Sequence, residues 1–234
     1  MKRFYKEVSV AHGIAGFSVL LDGKPVKTPG RRALALPTEK LATAIAVEWQ
    51  SQGAEVIATT MPLLRLANTV IDGVAVNPGD VVTAILRFGE NDLLCYRAHQ
   101  PPDLVARHAQ GWDPLLDWVR RRYGAHMTIA ESLGHVNQSP DALGALRKAL
   151  EDFDPFTLAG LHVIASITGS TVLALAVADG FIPGAAAFQL SRIDELYQAE
   201  KWGEDAEAHK RATALAHELD KAVEMIALAR QENK

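Results

Sequence analysis

Between residues 155 and 178 the chain carries no formal charge, over a length that as a helix would cross the hydrocarbon core of a bilayer. A sequence with such a segment must thread it through lipid or wrap the rest of the molecule around it. Two features favour wrapping. His162, Ser166, Thr168, Ser170 and Thr171 make the stretch too polar for easy insertion, and the flanking Asp152, Asp154 and Asp179 are acidic where arginines and lysines usually anchor a span. The expectation is one central helix buried on all sides, in a chain of 234 residues that is long enough to enclose it. Hydrophobic residues at 48% and charged residues at 22% are ordinary globular proportions, which argues against disorder and fibrous repeats.

The patterns on either side of this segment divide the chain. Residues 4–10, 17–21, 24–28 and 32–36 alternate or cluster β-formers, and Asp22-Gly23 is a strong two-residue hairpin signal. From Thr38, placed as an N-cap, the period changes: Leu41, Ala42, Ile45, Ala46 and Trp49 share one helical face. A short strand at 55–58 and a helix opening at Pro62 follow, and Asn77-Pro78-Gly79 marks a boundary. Beyond it the reading is a helix over 80–89, a lone strand over 92–98, and a long helix over 103–123 that Pro114 should kink or divide. Residues 127–131 fit neither type clearly. Ser139-Pro140 and Asp154-Pro155 each start a helix, and two more run over 185–201 and 204–230. The fold class is therefore α+β, with a small antiparallel sheet and covering helices over residues 1–80 and a mainly helical bundle domain over 81–234.

Reactive constellations are scarce. No GxxxxGK[ST] or GxGxxG occurs. His217-Glu218 lacks the second histidine of a zinc protease motif, and His209 and His217 read as solvated histidines on an acidic helix, so no cofactor or metal is expected. The single cysteine, Cys95, cannot form an internal disulfide and fits a reducing compartment. Paired with His99 it outlines a thiol nucleophile and base, and His99 with Asp92 an acid–base pair, which keeps a small hydrolase or transferase as the competing reading. Leu93-Leu94-Cys95-Tyr96 is apolar, however, and a lone cysteine there usually packs as a small hydrophobe.

The charges are unevenly placed. Residues 1–32 carry seven basic side chains against two acidic ones, whereas residues 194–207 carry Asp194, Glu195, Glu200, Glu204, Asp205 and Glu207 against Lys201 alone. An acidic run is most often a solvated helix face, but Trp202-Gly203 beside it adds a residue type enriched where interfaces concentrate their energy. A net charge of −4 spread over both signs gives no field for nucleic acid. Neither nucleic acid, membrane insertion nor a small-molecule substrate is expected, and a start without an apolar leader core points to the cytoplasm.

A set of ordered motifs resembles a known family. They are Arg3-Phe4-Tyr5-Lys6, Leu21-Asp22-Gly23-Lys24-Pro25 with Thr28-Pro29, Glu48-Trp49, and Met61-Pro62-Leu63 with Asn68-Thr69 and Asp72. The segments from Asp92 to Ala98 and from Trp112 to Trp118, then Gln198 with Lys201-Trp202-Gly203, complete the set. Together they are similar to the Atp12 chaperones of ATP synthase assembly, and the missing presequence points to a bacterial member. The resemblance implies a chaperone that binds the free F1 α subunit and shields its subunit interface until β subunits arrive, without nucleotide. It also implies an N-terminal α+β domain joined to a helical one. An acidic position near the C-terminal tryptophan is implied to matter. Glu195 matches it best, with Asp194 as its near neighbour, so Glu195, Asp194, Glu200 and Trp202 are the candidate partner-binding residues.

Overall fold

The computed structural model describes residues 1–130, 134, 136–203 and 205–230; the expectations that touch Glu131 and Glu204 lie outside the described residues. The chain forms two compact units. One comprises Met1–Pro78, Asp154–Gly160 and the described part of Glu224–Lys234, and the other Gly79–Phe153 and Leu161–Val223.

In the first unit β1 (Val8–Gly13), β2 (Gly16–Leu21) and β3 (Lys24–Pro25) form an antiparallel sheet in the order β1-β2-β3. Asp22-Gly23 makes the β2–β3 turn with φ of 49° and 76°, the left-handed pair that a two-residue hairpin requires. The β1–β2 hairpin turns at Ile14-Ala15, with Gly13 opposite Gly16. Only glycine suits position 16, because φ is +114° and a Cβ would stand 2.5 Å from the Leu36 carbonyl oxygen. The expected strands at 4–10 and 32–36 are shorter than their β-formers suggested: the ladder starts at Val8, and the second segment contributes only the bridges Phe17↔Leu36 and Lys27↔Ala33.

The helix α1 (Glu39–Gln50) begins at Thr38, whose Oγ1 accepts from Leu41 N, and it buries Leu41, Ala42, Ile45, Ala46 and Trp49, the five residues expected. It packs on β1 and β2, where the Tyr5 hydroxyl donates to the Trp49 carbonyl at 2.6 Å. Residues 55–58 form no strand. Glu55 makes one bridge to Lys2, and a 3-10 turn over Ala58–Thr60 leads into α2 (Pro62–Thr69). The first free N–H groups of α2 belong to Leu63 and Leu64, and both donate to the Glu48 carboxylate, at 2.8 and 2.9 Å. Asp72 locks the segment after β3 by accepting from Thr28 Oγ1 at 2.7 Å and Gly30 N at 2.8 Å.

The second unit is helical. Its elements include α3 (Pro78–Glu90), α4 (Pro102–Tyr123), which runs through Pro114 undivided, and α5 (Pro140–Glu151), capped by Ser139 as expected. The uncharged segment is two helices, which corrects the single central helix read from its composition. Gly169, with φ +68°, ends α6 (Pro155–Thr168), and Ser170 Oγ accepts from Leu173 N to start α7 (Thr171–Ala178). Every residue of α7 is buried, while α6 exposes Ser166. A second cap on α7 comes from far away in sequence. Asp92, fully buried, accepts from Leu94 N through Oδ1 at 3.1 Å and from Val172 N through Oδ2 at 3.0 Å, so one carboxylate caps a 3-10 turn (Leu93–Cys95) and α7 together. Residues 92–98 are that turn and irregular chain, not the strand that their apolar run suggested. The unit continues with α8 (Gly184–Leu190), α9 (Ile193–Trp202) and α10 (Ala206–Ala229) as far as Val223, so the helix expected over 185–201 is also divided, at Ser191-Arg192. No single helix among the described residues is long and apolar enough to cross a membrane.

Candidate functional site

Helix α9 carries three of the four candidate carboxylate and tryptophan positions on two different faces, plus the fourth at its end. At 3.6 residues per turn, Asp194, Tyr197, Glu200 and Lys201 fall on one side. That side is fastened to α4. Glu200 takes a bidentate pair from Arg107 at 2.9 and 2.7 Å, the Tyr197 hydroxyl donates to the Asp103 carboxylate at 2.9 Å, and Lys201 Nζ stands 3.5 Å from the same group. The Arg107 guanidinium holds the Glu200 carboxyl below the usual carboxylate range.

Asp194 belongs to the same fastening. Its Oδ1 lies 3.2 Å from Nε2 of buried His108, off the line of a good hydrogen bond. His108 Nδ1 accepts from Ala98 N at 3.1 Å, so the neutral ring carries its proton on Nε2, facing Asp194. Burial lowers the His108 pKa, and Asp194 opposes that shift. The imidazole stacks on Trp112, with centroids 3.9 Å apart, and Trp112 Nε1 donates to the Leu190 carbonyl at 2.9 Å. Asp194 and Glu200 therefore spend their charge inside the molecule.

The other side of α9 is free. Glu195 is exposed, and its side chain has no hydrogen bond or ion pair among the described residues. Trp202 is 78% exposed. Both line a groove of about 700 Å³ bounded by α8, α9 and α10. Phe188, Leu196, Ala199 and Trp202 form one wall, and Ala208, Ala212 and Ala216 form the other, spaced one helical turn apart. α8 and α10 approach closely at Gly184, where a Cβ would stand 2.7 Å from Val223 Cγ2. Among the described residues five titratable ones line the groove: Glu195, Asp205 and Asp220 against Arg192 and His209.

Sequence reasoning marked Glu195 and Trp202 but missed the alanine wall. The four-residue alanine spacing was legible, but it was read as part of an acidic amphipathic helix. The competing catalytic set is not assembled. Cys95 is completely buried, and burial first and the Asp92 charge second push its thiol up to about 12, whereas His99 is exposed. Asp92 is already occupied by the backbone N–H groups of Leu94 and Val172. Among the described residues no three His, Cys, Asp or Glu side chains gather as a metal site.

Comparison with known proteins gives concordant results. A family model described as ATP12 chaperone protein matches residues 2–120. The crystal structure of Atp12 from Paracoccus denitrificans is 40% identical, with a TM-score of 0.93 over 98% of each chain. A solved mutant of the P. denitrificans protein, in which one aspartate is replaced by lysine, gives the same values. Mitochondrial atp12 of Schizosaccharomyces pombe is 22% identical over 221 residues, which is 89% of this chain and 76% of that protein.

Proposed function

Because the chain belongs to the ATP12 chaperone family, we propose that it is an assembly chaperone of the bacterial cytoplasm that binds the free F1 α subunit of ATP synthase. It shields the α interface until β subunits bind. The observation that carries this reading is the apolar groove of the helical unit, lined by an exposed tryptophan and by a carboxylate without a partner among the described residues. Trp202 lies in one apolar lining with Phe188, Leu196 and Ala199 instead of standing alone on the surface, and tryptophan is over-represented at the centres of interfaces.

The physical logic follows from ring assembly. An α subunit without its neighbours exposes the apolar surfaces that later meet β, and such surfaces invite self-association. A chaperone that covers them must also yield them, so a moderate interface suits the task better than a tight one. Displacement by β then follows mass action and needs no nucleotide. The groove's mixed lining fits such an interface, because it offers apolar area without a dense set of buried polar anchors.

Dilution of denatured α subunit into buffer tests the proposal by light scattering. With an equimolar amount of this chain the scattering should be suppressed, and later addition of β should release α into αβ assemblies. Aggregation at the same rate with and without the chain would overturn the proposal.

A further inference from the structure

The groove described above has an unfinished wall, and its chemistry restricts what can complete it. We infer that it takes the apolar face of a short amphipathic helix of the client, with basic residues flanking that face; the inference rests on the reading that this surface holds a protein client.

Three observations lead to a helix. First, both walls are helices, and their backbone N–H and C=O groups are bonded within them. An extended segment laid on these walls would find no strand edge, and its own backbone groups would be left facing alanine and leucine. A helix satisfies them itself. Second, Ala208, Ala212 and Ala216 form a single i, i+4 row of small side chains, which is a shallow groove into which the ridge of another helix packs. Third, α9 from Ile193 to Trp202 is roughly 15 Å long at 1.5 Å per residue, the length of about three turns. Trp202, at the end of α9, is 78% exposed and can cover one side of such a helix.

Charge sets the flanks. Among the described residues the lining holds the carboxylates Glu195, Asp205 and Asp220, with Arg192 as the one permanent cation and His209 as the one imidazole. Arg192 is turned onto the Phe188 ring, 5.5 Å from its centroid. Asp205 accepts from Glu207 N at the start of α10, at 3.0 Å. Glu195 has no partner among the described residues. The uncompensated potential is negative, so lysines or arginines beside the apolar stripe are attracted and acidic flanks are repelled.

The test uses the full chain and three lactam-bridged, fluorescein-labelled 15-residue peptides. All three share a leucine stripe at helical spacing; the first has lysine flanks, the second glutamate flanks, and the third is the lysine peptide with a central proline. Fluorescence anisotropy should show saturable binding of the lysine helix and at least tenfold weaker binding of the other two. Ala212→Phe, which fills the groove, should weaken the lysine helix at least tenfold, and Trp202→Ala should weaken it severalfold. Circular dichroism melts confirm that both variants fold. Glu195→Lys should narrow the gap between lysine and glutamate flanks. Equal affinity for the two flanks, equal affinity for the proline peptide, or unchanged binding to both groove variants would each overturn the inference. Capture of intact α subunit is measured alongside. If α is captured and no peptide binds, the inference fails and the chaperone proposal stands; if the lysine helix binds as described and α is not captured, the groove inference stands and the proposed function fails.

Discussion

Replacing Asp92 by asparagine isolates the energetics of the buried carboxylate that organises the centre of the helical unit. In the folded chain Asp92 is completely buried and accepts from Leu94 N and Val172 N. Burial pushes its carboxyl up to about 6, against the hydrogen bonds that pull it down. In the unfolded chain an aspartate ionises near pH 4. Between about pH 4 and 6 the folded state therefore holds a proton that the unfolded state has released, and stability from this group falls as pH rises through that window. The whole effect amounts to about 3 kcal/mol, complete above pH ~6. His108 and His162, both lowered by burial, act in the opposite sense: their contribution is present above the ordinary histidine value and is lost as pH falls. The informative quantity is thus the difference between wild type and Asp92→Asn, in which the histidines cancel. Asparagine cannot ionise, but its amide N–H groups would face one of the two backbone donors and leave it unsatisfied, a constant cost of about 1–3 kcal/mol. Urea melts in steps from pH 4 to 7.5 should show wild type losing up to about 3 kcal/mol relative to the variant across pH 4–6, then running parallel to it. A difference that stays flat, or that moves in wild type's favour with rising pH, would refute the reasoning.

Other substitutions probe the first unit and the groove. Gly16→Ala forces a side chain into φ +114° and to within 2.5 Å of a carbonyl oxygen; it should cost about 2 kcal/mol or more in denaturant melts. Gly13→Ala, whose Cβ would sit at 3.7 Å, should cost under about 1 kcal/mol. Trp49 is 7% exposed and packs edge-on against Tyr5, so Trp49→Ala should cost about 3–5 kcal/mol; Trp49→Phe, which deletes a buried N–H without a partner among the described residues, should cost less than half of that. Trp202→Ala should leave the melting curve within about 0.5 kcal/mol of wild type.

What could be read from sequence was local. Thr38, Ser139 and Asp154 announce their helices because a cap and its helix lie within three residues of each other. The Ile14-Ala15 turn was not legible, since neither residue is a turn former and the constraint sits in Gly16 and in Leu36 across the sheet. The division of residues 155–178 was only half hidden: Gly169-Ser170 is a local stop-and-cap signal inside the apolar run, while the carboxylate that also caps its second half is Asp92, 80 positions away. Several motif residues behind the family resemblance prove to be such caps. Asp22 accepts from Lys6 N and Glu7 N, Glu48 holds the start of α2, and Asp72 holds the turn after β3. In the acidic run, sequence supplied the carboxylates but not their partners. Arg107 and His108 lie on α4, and only tertiary packing shows that they engage Glu200 and Asp194 and leave Glu195 to face the groove.

Capture of purified F1 α subunit by matched charge reversals addresses the central proposal most directly. Glu195→Lys changes a groove carboxylate that has no partner among the described residues, whereas Glu207→Lys makes the same change of charge at an exposed residue whose carboxylate, among the described residues, meets only Arg211, at 3.2 Å. Neither should unfold the chain, which thermal melts confirm. Glu195→Lys should reduce α capture at least tenfold relative to wild type, and Glu207→Lys should leave it within about twofold, given that a desolvated charge reversal costs about 2–5 kcal/mol and a rim change much less. Equal capture by the two folded variants would contradict the account.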